Sequence, residues 1–153
     1  MKRRKVAIVI FYDDDGNIVF QERGKHSKTG EKYGFFGGGT KQGDSPVEAI
    51  RRELHEELGY VPQDLTFWTN NKFTIKEDGK YKNWLIECSV YLSKVNSNLL
   101  GLNVVEGKSL VKMAINEAIK GGGFHTDDIR LLEKFKKEKN FDVMELAGAW
   151  KDI

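Results

Sequence analysis

Apolar and polar residues follow two periods along this chain, and the change from one to the other marks out its elements. Residues 5 to 12, KVAIVIFY, are β-branched and aromatic, and DDDGN followed by IVFQ reads as a turn and a returning strand, so a hairpin opens the chain. From Arg23 to Tyr33 the sequence RGKHSKTGEKY has almost no apolar residue and is read as a loop, after which GFFGGG is a short strand running into a turn. The period then becomes helical. Ser45, Pro46 and Glu48 supply an N-cap, a proline at the first helical position and a capping-box acid, and Gly59 stands just past the last helical residue, which predicts a helix over 46 to 58. Val47, Ile50, Leu54 and Leu58 form its expected core-facing stripe.

Residues 65 to 92 hold two β-rich segments around Glu77, Asp78, Gly79 and Lys80, a second hairpin. Residues 109 to 119, SLVKMAINEAI, are expected to be partly helical at best. Thr126 is read as the cap of a helix at about 127 to 138, with two acids in its first turn and lysines in its last, as the helix dipole favours. The tail from 140 stays ambiguous, and no repeat or linker divides the chain, so a single domain over 1 to 153 is expected.

Composition narrows the function classes. A chain of 153 residues can bury roughly 70% of its unfolded surface in one core. Counting glycine in and tyrosine out, the apolar fraction is about 46%, which excludes intrinsic disorder. A net charge of +2 is too balanced for a protein that coats nucleic acid or an acidic membrane, but it allows a small acidic substrate. The single cysteine, Cys88, forms no internal disulfide, and no apolar run approaches the 18 or more residues of a membrane span, so a cytoplasmic, soluble protein is expected.

The helix at 46 to 58 carries the candidate chemistry. Glu53, Glu56 and Glu57 share an arc of about 100°, at spacings where like charges repel by a few tenths of a kcal/mol per pair. Taken alone, the simpler reading is a solvated acidic face relieved by Arg52. The other reading is a set of hard oxygen ligands suited to Mg²⁺ or Mn²⁺ and not to zinc, since His55 points about 100° away from Glu56.

The segment in front decides between them. From Gly38 the chain runs five residues to Asp44, seven more to Arg52, Glu53 and Leu54, one to Glu56 and Glu57, and one to Gly59 and Tyr60. This closely resembles the 23-residue signature of the Nudix hydrolase (MutT-like) family: Gly, five residues, Glu, seven residues, Arg-Glu-aliphatic, one residue, Glu-Glu, one residue, Gly-aliphatic. Asp44 stands where the family has Glu, Tyr60 where an aliphatic is usual, and Phe36 replaces a proline that often precedes the glycines. The shorter Asp44 puts its ion pair with Arg52 in doubt. The resemblance covers roughly residues 4 to 138 and implies an α/β/α sandwich, a mixed β-sheet between helices.

It further implies Mg²⁺-dependent hydrolysis of a nucleoside diphosphate linked to a group X, most readily a nucleoside triphosphate, with Mn²⁺ as substitute. Glu53, Glu56 and Glu57 would hold the metal, Arg52 would support them, and Gly38 and Gly39 would let backbone approach the substrate. Arg23, leading a basic loop with Lys25, Lys28 and Lys32, would meet the substrate's phosphates. Glu106, in a loop after the second hairpin, is the expected base or extra ligand. The expected partner is a small nucleotide, not a nucleic-acid polymer or a membrane. The alternatives are a nucleotide-sensing module that has lost catalysis, an ADP-ribose or nucleotide-sugar hydrolase, and isoprenyl diphosphate isomerisation, which needs an accessible cysteine.

Phe124, His125 and Thr126, with Phe35 and Trp68, are expected to hold the base or X group, since a nucleobase wants a flat apolar face and a few fixed polar groups. Other motifs carry less. The stretch GLNVVEGKS has one residue too many between its glycines for a phosphate loop. Asp13, Asp15, Gly16 and Glu22 imitate a calcium loop but are flanked by strands. Cys88 reads as a core thiol, and Lys134 to Lys139 as the wet side of the last helix.

Overall fold

The structure is a computed structural model in which residues 1–23, 30–101 and 109–139 are described. Strand β1 (Arg3–Tyr12) is its spine. It lies parallel to β6 (Leu85–Lys94) along its whole length, and β6 carries β5 (Thr66–Thr74) antiparallel on its outer side. The opposite edge of β1 is shared. Its middle, Val6 to Val9, pairs with β4 (Phe36–Gly39), whereas only Phe11 and Tyr12 pair with β2 (Asn17–Glu22). The opening hairpin therefore exists, but it parts after two residue pairs. Its turn is held by Asp13, whose carboxylate accepts from the Asp15 and Asn17 backbone N–H groups at 2.9 Å each, a solvated turn and not an ion loop.

Past the fork, β2 pairs with the two-residue β3 (Tyr33–Gly34) and, on six residues, with β7 (Ser109–Ala114). This agrees with the expectation that 109 to 119 is partly helical at best, and shows where the change falls. The first six residues are strand, because the free edge of β2 supplies partners for their backbone groups, and helix begins only at α3 (Ile115–Lys120). A short α2 (Ser97–Leu100) follows β6. The last helix, α4 (Thr126–Glu138), lies where expected, but its cap is His125 and not Thr126: the His125 Nδ1 accepts from the Asp127 N–H at 3.2 Å.

Helix α1 (Pro46–Leu58) has the full capping box at Ser45 and Glu48, Pro46 in its first turn, and Gly59 at φ 64° to end it. Its buried face is turned from the expected stripe. Val47 is 37% exposed, while Ala49, Ile50, Leu54 and Leu58 are buried. The helix packs on β4, a strand of glycines, so its small Ala49 side can come closest to the sheet.

The alternation of β1 separates two cores. Ala7, Val9 and Phe11 pack with Ile50 and Leu54 under α1, and Ile10, Phe20, Leu132 and Phe135 pack on the other face with α3 and α4. Cys88 is a buried core thiol, and burial pushes its pKa up. Helices thus cover both faces of a mixed sheet. Among the described residues no helix is long and apolar enough to cross a membrane.

Candidate active site

Strand β4 is thin because the helix needs it to be. The Gly37 N–H donates to Glu57 Oε1 at 2.9 Å, and Glu57 is only 6% exposed. At Gly37 φ is 140°, and an added Cβ would run into the Ala7 carbonyl. At Gly38 an added Cβ would stand 2.7 Å from the carboxyl carbon of Glu53, so any side chain there would displace that carboxylate.

Arg52 braces the same edge. Its Nη2 donates to the Gly39 carbonyl at 3.0 Å and its Nη1 to Asp44. The shorter acid therefore reaches the arginine, which corrects the doubt raised by its missing methylene: the turn from Lys41 to Asp44 brings it in, with the Lys41 N–H donating to Asp44 Oδ2 at 3.1 Å. The hydrogen bond from Arg52 is the main reason that the Asp44 carboxyl is held below its ordinary range. Arg52 also stands 3.5 Å from Glu53 and 3.8 Å from Glu56.

Glu53 and Glu56 therefore share one guanidinium, whereas Glu57 turns inward to tie helix to strand. Among the described residues no three acidic, imidazole or thiol groups form a ligating cluster. The donor chemistry nevertheless fits a hard divalent cation: carboxylate oxygens only, beside a glycine that leaves room, with no nitrogen or sulfur ligand in the set.

On the opposite side of β4 lies a cavity of about 510 Å³. Arg4, Val6 and Ile8 of β1 line one wall, and Phe35, Gly37 and Gly38 the edge toward α1. The 75–84 turn between β5 and β6, with Glu77 and Tyr81, forms another wall. Arg23, Glu31, His125 and Asp128 complete it. The turn is docked: His125 Nε2 lies 2.7 Å from Glu77 Oε2.

Of the residues expected to hold phosphate or X, Arg23, Gly38, Phe35 and His125 line this cavity. Arg23 lies over Gly34, donates to the Phe35 carbonyl at 3.4 Å and stands 3.6 Å from Glu31. Gly39 belongs to the same strand. Phe124 is packed instead in the core, its ring against Phe20 and Tyr33, and Thr126 is an exposed first residue of α4. Trp68 packs on Phe135 and donates to Glu138 at 2.7 Å, away from the cavity lining. Glu106 lies outside the described residues.

Two groups escaped sequence reasoning. Asp128 was legible only as an acid favouring the helix dipole, yet it lines the cavity. Burial pushes its carboxyl up to about 6; the charges of His125 and Arg23 oppose the rise, and those of Glu31 and Asp127 add to it. Arg4 stands among Lys2, Arg3 and Lys5 and drew no functional expectation. The alternation of β1 was the available signal, since it puts Arg4 on the face of Val6 and Ile8.

A glycine strand locked to an acidic, capped helix beside a cavity at a forked mixed sheet defines a class of α/β/α enzyme-like domain. A family model described as the NUDIX domain matches residues 1–135, and the chain belongs to that family. It is 31% identical over 68 residues to the 8-oxo-dGTP diphosphatase of Escherichia coli K12, covering 44% of this chain and 53% of that protein. It is 36% identical over 75 residues to an RNA pyrophosphohydrolase of Aeromonas hydrophila, covering 48% of this chain and 39% of that one. The matched segments thus span about half or less of those relatives. The solved structure of the Escherichia coli ORF135 protein superposes with a TM-score of 0.63 at 24% identity, covering 90% of this chain and 91% of that one. A MutT protein from Methanosarcina mazei Go1 gives 0.65 at 18%, covering 90% and 95%. At such identities these two show the fold alone.

Proposed function

We propose that the chain hydrolyses a pyrophosphate bond in a nucleoside diphosphate linked to X, most readily a nucleoside triphosphate, releasing the monophosphate and pyrophosphate. The observation that carries this is the Glu53 carboxylate laid against Gly38 at the edge of a cavity that also holds two arginines. The names of the two relatives, a diphosphatase and a pyrophosphohydrolase, support the same bond type.

Glu53, Glu56 and Glu57 would hold Mg²⁺. When bound, such an ion offsets the charge of the diphosphate and lowers the pKa of water. The chain's own residues do the rest. Arg52, fixed by Asp44 and the Gly39 carbonyl, keeps helix and glycine strand in register. Arg23 grips phosphate oxygens, and the cavity takes the base, with Phe35 as an apolar wall and Asp128 and His125 as polar groups on its edge. Water adds to phosphorus as the anhydride P–O bond breaks, and the proton passes to a base, for which Glu106 is the proposed residue. The working compartment is taken to be the cytoplasm.

The test is a panel of nucleoside triphosphates, ADP-ribose and nucleotide sugars with Mg²⁺, following phosphate and pyrophosphate release. Triphosphate cleavage to monophosphate and pyrophosphate is expected. Preference for ADP-ribose or a nucleotide sugar would move the substrate class, and binding without turnover of any member would mark a sensing module.

A further inference from the structure

The cavity holds two guanidinium groups, and they are kept in different ways. Arg23 has protein partners, Glu31 at 3.6 Å and the Phe35 carbonyl at 3.4 Å. Arg4 lies with its guanidinium carbon 4.4 Å from the centre of the Tyr81 ring, and among the described residues no carboxylate pairs with it. Its neighbour Arg3 turns the other way and bonds to Glu87 at 3.2 Å. The register of β1 on β4 pairs Val6 with Gly39, so Arg4 stands on the cavity face just beyond the end of the glycine strand. A Cβ at Gly39 would meet Arg4 Nη2 at 2.9 Å. Arg52 thus bonds the Gly39 carbonyl, while Arg4 fills the space that a side chain at Gly39 would take.

A half-buried arginine stacked on an aromatic ring has its planar N–H fork oriented in advance, and such a fork matches phosphate oxygens. On the functional reading above, a substrate with X in the cavity and its diphosphate at Glu53 has to cross β4 at Gly38 and Gly39, where Arg4 stands. We propose that Arg4 binds the phosphoryl group on the cavity side of the scissile bond, and that Tyr81, from the 75–84 turn, is the positioning residue that orients it. This rests on the proposed hydrolase reading for the substrate's direction, but not for the existence of a phosphate site.

Calorimetric titration of the full chain with inorganic triphosphate, which lacks any base, isolates the phosphate contact. Arg4→Ala should weaken binding at least tenfold, and Arg4→Lys, which keeps the charge but not the fork, by an intermediate factor. Arg3→Ala, the same charge one residue away, should change it less than twofold. Tyr81→Leu should weaken it three- to tenfold, with Tyr81→Phe restoring most of the loss, since the ring and not the hydroxyl carries the stacking. In steady state, Arg4→Lys should raise KM for the best triphosphate more than it lowers kcat, because the contact exists before and during the bond cleavage. Triphosphate binding that is unmeasurable in the wild type, or equal in wild type, Arg4→Ala and Arg4→Lys, overturns the proposal. So does a loss in Arg3→Ala as large as in Arg4→Ala. Arg4-dependent binding in a chain that cleaves no member of the panel would uphold the site and overturn the hydrolase reading. Glu53-dependent cleavage with no effect of Arg4 would do the reverse.

Discussion

On the α1 side of β4, the acidic edge comes from residues 37 to 57: three glycines, Asp44, Arg52 and the glutamates, all in one strand–turn–helix. On the other side, the cavity draws Arg4 from β1, Arg23 and Glu31 from the β2–β3 connection, Tyr81 from a turn, and His125 and Asp128 from α4. A constellation made within one short segment keeps its spacing wherever that segment folds. A constellation made from four segments depends on every packing contact that brings them together, and can change its chemistry by changing any of them. On the proposed function, the local edge sets the bond type and the assembled cavity the choice of substrate.

The strongest way to break the comparison is at Glu53. Glu53→Gln should lower hydrolysis by roughly 10² to 10⁴ with little change in Tm, since a partly exposed carboxylate crowded by Glu56 and Glu57 loses repulsion as well as function. Glu57→Gln should lower activity too, but it should also cost about 1 kcal/mol, because its buried carboxylate accepts the Gly37 N–H and a neutral amide accepts less strongly. Equal turnover in wild type and Glu53→Gln at saturating Mg²⁺ would remove the edge from the mechanism.

The cavity side should answer differently. Phe124→Ala should destabilise the fold by about 3 to 4 kcal/mol, read by denaturant unfolding, because the ring is buried between Phe20 and Tyr33. Unchanged stability, with an altered ranking of nucleotides, would place Phe124 in substrate recognition instead.

Asp128 gives a smaller effect than Phe124, one that depends on pH. Its folded pKa, about 6, lies above the ordinary 3.8. Below 3.8 the acid is neutral in both states and costs nothing. As pH rises toward 6 the unfolded chain releases its proton first, so stability falls across that window and stays lower above it. Asp128→Asn should therefore be more stable than wild type at pH 7 by roughly 1 to 2 kcal/mol, with the gap closing below pH 4. A gap that is independent of pH would mean that Asp128 is not held in a desolvated place. The same variant should change the order of nucleotides by KM while leaving the metal requirement alone.

What could be read from the chain follows the same division. The capping box at Ser45, the stop at Gly59, the acidic arc and the spacing from Gly38 to Glu57 are all short-range, and each was legible because helix geometry converts spacing directly into position. The strand at 109–114 was not, because its apolar pattern suits strand or helix and only the unpaired edge of β2 decides for strand. The rotation of α1 that buries Ala49 and exposes Val47 was set by the glycine strand beneath it. Phe124 and Asp128 stand four residues apart, one in the core and one at the cavity, and nothing in their local sequence distinguishes a ring that staples a helix from one that meets a base.

The sequence by itself determined the family, the acidic helix and its glycine partner, because those depend on intervals of a few residues along one backbone. Tertiary structure alone decided that Glu57 turns inward, that Arg4 and Asp128 face the same cavity as Arg23, and that Trp68 does not. Those outcomes depend on the register of β1 against β4 and β6 and on where α4 lands, and such long-range packing is settled by the sum of many weak contacts that no single stretch of residues contains.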